Sequence, residues 1–194
     1  MSTNAYDSYY LVALPRGEVL EWATRFQQEI ADRYGIYEKP YPPIHMTMGV
    51  LFPNKNSELQ RAVSILHGVL GQRSPFSIQI EGSSCFAPPY KSLNLSVAHT
   101  PELLSVARDV YDHLHDQGIE AKNMHNWDFH ISLVNTVFAR REWSIEEFYE
   151  ACYLLENRPI DLKCDIQKLQ LWSPHFPPLS VAASFKLHKR SNDF

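Results

Sequence analysis

Two tripeptides of this chain carry the same pairing of side chains. His45-Met46-Thr47 lies in the apolar run 44–50, and His130-Ile131-Ser132 lies in the run 129–135. Successive side chains on a strand alternate faces, so residues i and i+2 point the same way. Each tripeptide therefore offers one imidazole and one hydroxyl from a common face. Imidazole titrates near neutrality, so one ring can be neutral while the other is protonated. The neutral ring takes a proton from an attacking water or hydroxyl, and the protonated ring gives one to a leaving oxygen. Each transfer is worth about 10²–10⁴ in rate. The hydroxyls of Thr47 and Ser132 can donate to the non-bridging oxygens of a phosphate. This set suits a phosphodiester held between the rings, and it calls for no metal and no cofactor. A lone His beside a hydroxyl in an apolar strand is usually a hydrogen-bonded core or edge residue. Two such pairs at equivalent points of a repeat are harder to assign to chance.

The repeat comes from the elements that must hold the pairs. Residues 11–23 lie over residues 95–107 at an offset of 84, matching Leu11 with Leu95, Glu18 with Glu102, Leu20 with Leu104 and Ala23 with Ala107. His45 and His130 are 85 apart, and one extra residue fits in a loop. Each unit reads strand, helix, loop, strand. Helical spacing predicts four helices, the first carrying Val19, Trp22, Ala23, Phe26 and Ile30 and ending near Gly35. The others carry Leu59 to Leu70, Leu103 to Leu114 and Ile145 to Leu155. Strands are expected at 9–15, 45–52, 76–82, 93–99, 128–138, 160–172 and 181–189, with loops at 85–92 and 173–179. The expected fold class is α+β: two related lobes about a pseudo-twofold axis, with two antiparallel sheets around a central cleft and helices outside.

A length of 194 residues suits a single domain, 1–194, made of the two lobes. Hydrophobic content of 44% and charge of 21% are ordinary for a globular chain. A net charge of −4 argues against gripping long duplex nucleic acid, which usually takes a basic face. Any RNA is then met at a terminus or as a small nucleotide. Cys85, Cys152 and Cys164 are odd in number and form no C-x-x-C pair. They read as free thiols, small buried hydrophobes in a reducing cytoplasm. The opening "MSTNAYDSYYLVALPRG" has no basic n-region, and no later run approaches a membrane span. A monomer is expected. Metal binding is the main chemical rival, given nine His. His113 and His115 fall at i, i+2 of a helix and diverge. There is no H-E-x-x-H, and a meeting of His125 with His130 lacks a third ligand.

"HMT" and "HIS", each on a strand that follows a helix, resemble the two H-x-T/S motifs of the 2H phosphoesterase superfamily. That superfamily includes the bacterial 2′-5′ RNA ligase-like proteins and the cyclic phosphodiesterases. "YYLVALP" is similar to its opening strand, and "LQLWSP" to its penultimate strand, which often ends in Ser. The resemblance spans nearly the whole chain and implies a bilobal α+β fold around a central cleft. It also implies hydrolysis of 2′,3′-cyclic phosphates, or cleavage or joining of 2′-5′ linkages, with His45, Thr47, His130 and Ser132 in the motif roles. The family's frequent Arg after the "FAPP"-type loop is not evident, and Lys91 is the nearest cation. Tyr90, Lys91 and Trp172 are candidate substrate contacts, the aromatics for a base and Lys91 for a phosphate. Arg140 and Arg141 read as solvated loop charges. Trp127 and Phe129 have the opposite parity to His130 and are expected to face the core. Two rival classes stay open: a nucleotide or RNA-end binding module without turnover, and a metal hydrolase.

Overall fold

In the computed structural model, which describes residues 8–124, 126–173 and 177–188, the helical spacing becomes four helices. They are α1 (Gly17–Tyr34), α2 (Asn56–Gly71), α3 (Pro101–Asp116) and α4 (Ile145–Glu156). α1 buries Val19, Ala23, Phe26 and Ile30 and stops at Gly35, whose φ of 59° is the left-handed turn that glycine adopts without penalty. α3 opens with Thr100, whose hydroxyl accepts from the Leu103 N–H, and with Pro101 in its first turn. α4 opens with a reciprocal capping pair, Ser144 and Glu147. The bidentate Arg141 guanidinium, then the Ser144 N–H, pull the Glu147 carboxyl down to about 2.

The strands are β1 (Tyr9–Ala13), β2 (Met46–Leu51), β3 (Phe76–Phe86), β4 (Ser92–Val97), β5 (His130–Val134), β6 (Leu162–Ile166), β7 (Lys168–Trp172) and β8 (Val181–Lys186). They form one antiparallel sheet in the order β6-β3-β4-β5-β2-β1-β7-β8. Reading outward from the middle gives the same pattern twice, β2-β1-β7-β8 and β5-β4-β3-β6. The duplication is therefore visible in topology as well as sequence. One detail of the expected architecture changes. The two sheets are halves of a single sheet, joined where β2 meets β5 through one bridged pair, Met46 with Ile131.

Other boundaries move for identifiable reasons. β3 runs on to Phe86, through part of the expected loop, because Ser83 to Phe86 find ladder partners in Ser92 to Leu95. The segment 160–172 splits at Gln167 into β6, which pairs with β3, and β7, which pairs with β1. The second motif strand ends at Val134, and Thr136–Phe138 turns into a short 3₁₀ helix capped by the Asn135 side chain.

Met46, Met48, Leu11, Leu95, Ile131, Leu133, Leu169 and Leu171 lie almost wholly out of solvent, in one apolar cluster with the buried helix stripes. Cys85 on β3 and Cys152 on α4 are joined as a disulfide, with Cα atoms 6.1 Å apart. This corrects the reading of free thiols throughout. Only a tertiary contact between strand and helix brings residues 67 apart together, and spacing does not reveal it. Cys164 is free and half-buried, and burial pushes its thiol up. No described helix is long and apolar enough to cross a membrane.

Candidate active site

The register at the middle of the sheet positions the two tripeptides. Met46 and Ile131 are opposite each other and fully buried on the core face. One step to either side sets His45 opposite Ser132 and Thr47 opposite His130, all four on the other face. Directly opposed side chains have Cβ atoms about 5 Å apart, and diagonal ones about 7–8 Å. The two imidazoles thus sit on one diagonal of a four-residue patch and the two hydroxyls on the other. All four line one cavity of about 230 Å³.

Each ring is held from behind in the same way. Nδ1 of His45 is 2.8 Å from the Pro43 carbonyl oxygen, and Nδ1 of His130 is 2.6 Å from that of Asp128. A carbonyl only accepts, so Nδ1 carries a proton and donates in both rings. That fixes the tautomer and leaves Nε2 as the working nitrogen. Each ring also meets an aromatic from an equivalent strand. Trp172, at the end of β7, lies 4.7 Å from His45, and Phe86, at the end of β3, meets His130 edge-on at 4.9 Å. The Trp172 indole N–H donates to Gln170 Oε1 at 2.9 Å.

The pairs differ in their hydroxyls and in their electrostatics. Ser132 Oγ donates to Asn94 Oδ1 at 3.3 Å. Asn94 is fully buried on β4, and its amide donates to Ser92 Oγ at 3.2 Å and, at 3.4 Å, to the carbonyls of Ser84 and Ser92. Thr47 forms no side-chain hydrogen bond among the described residues. Burial lowers the pKa of His45 below the usual imidazole value. The Pro43 carbonyl offsets this in part, and a charged His130 lowers it further.

The remaining wall is mostly apolar and aromatic, with a few polar groups. Tyr37 donates to the Asn135 carbonyl at 2.9 Å and accepts from the Asn135 N–H at 2.6 Å. Burial pushes its phenol up to about 12, so it remains neutral. The Ser173 hydroxyl is buried without a partner among the described residues. No Lys, Arg, Asp or Glu is among the described residues of this wall.

Of the residues singled out from sequence, His45, Thr47, His130, Ser132 and Trp172 converge here. Tyr90 and Lys91 do not. Tyr90 is 67% exposed on a loop outside the cavity. Lys91 turns its ammonium to Glu142 Oε1 at 2.6 Å and the Trp143 carbonyl at 3.0 Å, so its charge is already neutralised. Neither is among the described residues that line the cavity. Arg140 pairs with Glu38 and Arg141 with Glu147, as surface charges. Phe129 is core, and Trp127 packs partly buried against the core while also stacking 6.4 Å from the His130 ring. Strand parity does not govern Trp127, because β5 begins only at His130. His125 lies outside the described residues. No cluster of three or more metal-ligating side chains occurs among the described residues. Sequence reading missed Gln27, Tyr37, Asn94 and Asn135. Asn94 alone left a trace, as a polar residue inside the apolar run "SLNLSV".

A family model described as the 2′-5′ RNA ligase superfamily matches residues 16–175, a span that contains both tripeptides. The chain belongs to the 2′-5′ RNA ligase superfamily. The superfamily span takes in the whole β2–β5 junction and every described cavity residue except Tyr10 and Leu179. A curated relative, a Bacillus cereus (strain G9842) protein that carries a phosphoesterase name, is 29% identical over 85 residues. That match covers 44% of this chain, which spans about half (49%) of the relative's length. Among solved structures, TT0787 of Thermus thermophilus has a TM-score of 0.67 at 16% identity, over 95% of this chain and 100% of its own. Escherichia coli LigT complexed with 3′-AMP has a TM-score of 0.60 at 12% identity, over 94% and 99%. At such identities the likeness is one of fold.

Proposed function

We propose that this chain is a metal-independent phosphodiesterase. It acts on 2′,3′-cyclic phosphates or 2′-5′ phosphodiester linkages of a nucleotide or RNA end, by two-histidine acid–base catalysis. The observation that carries the reading is the cross-strand patch, two imidazoles on one diagonal and two hydroxyls on the other, facing one cavity. Membership of the superfamily supports it, as do the nucleotides, 3′-AMP and ATP among them, in crystals of LigT.

The differences between the halves support one division of the proton transfers. His45 is the ring whose neutral form burial favours, so its Nε2 is the base. It takes a proton from the attacking water as the new P–O bond forms. The P–O bond to the ribose oxygen breaks, and that oxygen takes the Nε2 proton of His130. The product is a phosphomonoester with a free hydroxyl, and solvent resets the two rings. Thr47, with its hydroxyl unengaged, donates to a non-bridging oxygen. Joining of 2′-5′ ends is the same displacement with a ribose hydroxyl in place of water: it attacks the cyclic phosphate, a new P–O bond forms, and the ring P–O bond breaks to leave a free hydroxyl. A wall with no Lys or Arg among its described residues suits the single charge of a diester better than the near-double charge of a monoester, which favours product release. The proposed state is a monomer; the Cys85–Cys152 disulfide removes the free-thiol argument for a reducing cytoplasm.

The test is a panel of 2′,3′-cyclic mononucleotides, ADP-ribose cyclic phosphate and 2′-5′ oligoadenylate, with and without chelator, and products read by phosphorus NMR. Monoester formation that is insensitive to chelator is expected. Saturable binding heat without product would instead mark a binding module. Activity abolished by chelator and restored by zinc or manganese would remove the metal-free mechanism.

A further inference from the structure

A second groove shares Gln27, Pro42 and Pro43 with the catalytic cavity. Its rim carries Arg16, Lys168 and Lys186, and no Asp or Glu is among its described lining residues. Lys168 and Lys186 are direct cross-strand partners on β7 and β8. Like charges set directly opposite each other destabilise a sheet. Arg33, Arg73, Arg140 and Arg158 each have a carboxylate partner. These two lysines have none among the described residues, in a chain whose net charge is −4. A structural role does not account for an unneutralised cation pair that opposes the fold at its own position.

The groove also lies on the face that carries the chemistry. Along β7, Leu169 and Leu171 are fully buried in the core, so Lys168, Gln170 and Trp172 share the opposite face. Trp172 abuts His45. Gln170 accepts from the Trp172 indole and donates to Ser184 Oγ on β8 at 3.0 Å. A polar row thus leads from the cavity to the two lysines, about 13 Å from Trp172 to Lys168 at the rise of a strand. Arg16 is held at the rim by its hydrogen bond to the Gln167 side chain. At the junction, the buried Gln27 uses its amide N–H groups on the Pro42 and Leu133 carbonyls, both at 3.0 Å, which leaves its Oε1 as an acceptor.

We infer that this groove is a strand-binding extension of the cleft. It takes the phosphodiester backbone of a single-stranded oligoribonucleotide whose reactive end sits between His45 and His130. This rests on the proposed phosphodiesterase reading and narrows its substrate to an RNA end over a free mononucleotide. A mononucleotide held at His45 does not reach Lys168, whereas a strand brings further phosphates along the row. Neutralising two phosphates with lysine releases counterions and makes binding salt-dependent, with a slope of about 0.7 per contact for single strands.

The experiment compares a 2′,3′-cyclic mononucleotide with a fluorescein-labelled pentaribonucleotide ending in a 2′,3′-cyclic phosphate, on the full chain and on Lys168→Ser/Lys186→Ser. The double variant should lose about tenfold in kcat/KM on the pentanucleotide, mainly through KM. Its log–log salt slope should fall by about 1.4, two contacts at 0.7 each. Mononucleotide turnover should stay within about twofold of the parent, and the melting midpoint should hold or rise as the opposed charges go. Equal losses on both substrates, or no loss on the pentanucleotide, would overturn the inference. So would a polyglutamate peptide that competes as strongly as the pentanucleotide, since that marks a protein partner. If neither substrate is turned over, the catalytic reading fails. Fluorescence anisotropy of the same labelled strand then decides the groove separately: tenfold weaker binding in the variant upholds it, and unchanged binding sinks it.

Discussion

The first half of the sheet holds His45 and Thr47, the second holds His130 and Ser132, and the two are built alike. Each ring donates Nδ1–H to a carbonyl two residues upstream. Each meets an aromatic at the end of an equivalent strand, Trp172 or Phe86. The differences lie in the details duplication does not fix. Ser132 is tied to a buried amide, Thr47 has no side-chain hydrogen bond among the described residues, and burial depresses the titration of His45. Symmetry brings two proton carriers to one ester, while asymmetry decides which way the protons run.

The largest test of that comparison is removal of each ring. His45→Ala and His130→Ala should each cost about 10²–10⁴ in kcat on a cyclic phosphate. The double variant should be little worse than the poorer single one, because the rings act as a unit. A half whose ring can be lost without effect would end the idea of paired roles.

The hydroxyls give the next effect. Thr47→Val should lower kcat by about 10²-fold, the scale of one donor aimed at developing charge. Ser132→Ala should cost less than about tenfold, since its proton is engaged by Asn94. Matching losses in steady-state kinetics would erase the distinction between the pairs.

Asn94→Ala sharpens the comparison through stability. It frees the Ser132 hydroxyl but strips hydrogen bonds from the Ser84 and Ser92 carbonyls, and should cost about 1–3 kcal/mol by denaturant titration. A smaller catalytic loss on Ser132→Ala in the Asn94→Ala background than in the parent would contradict the tether.

The pH dependence is the subtlest effect. His45 must be neutral to act as base, so the acidic limb of kcat/KM should lie below 6.5. The same lowered value makes the unfolded chain the better proton binder. The contribution of His45 to stability is then whole above about pH 6.5 and declines as pH falls toward its folded pKa. His45→Gln should flatten that slope in thermal melts, and an unchanged slope would place its origin elsewhere.

How far these features were legible in the sequence depends on their range. Parity within a strand put His45 beside Thr47 and His130 beside Ser132, and the offset repeat paired the two strands. Helix limits were clear where a stop signal was local, as at Gly35. The junction register was not readable, because a single bridge between residues 85 apart sets it (131 − 46). The ion pair of Lys91 was hidden for the same reason, since its partner Glu142 comes from a distant loop. The Cys85–Cys152 bridge and the tether from Ser132 to Asn94 likewise join elements that meet only once the sheet has formed. In "SLNLSV" the buried Asn was the one polar misfit that announced a tertiary role.

The strand order carries a further consequence. β7 and β8 come after every other element in the chain yet complete the half that β1 and β2 begin. The half β5-β4-β3-β6 is one stretch, 76–166, set inside the sequence of the other half, so splitting the gene at its midpoint yields two fragments that each lack native neighbours. A chain cut before Lys168 loses the Trp172 wall of His45 and leaves β1 as a bare edge, open to pairing with other molecules. Premature termination there should give an aggregating product with no partial activity.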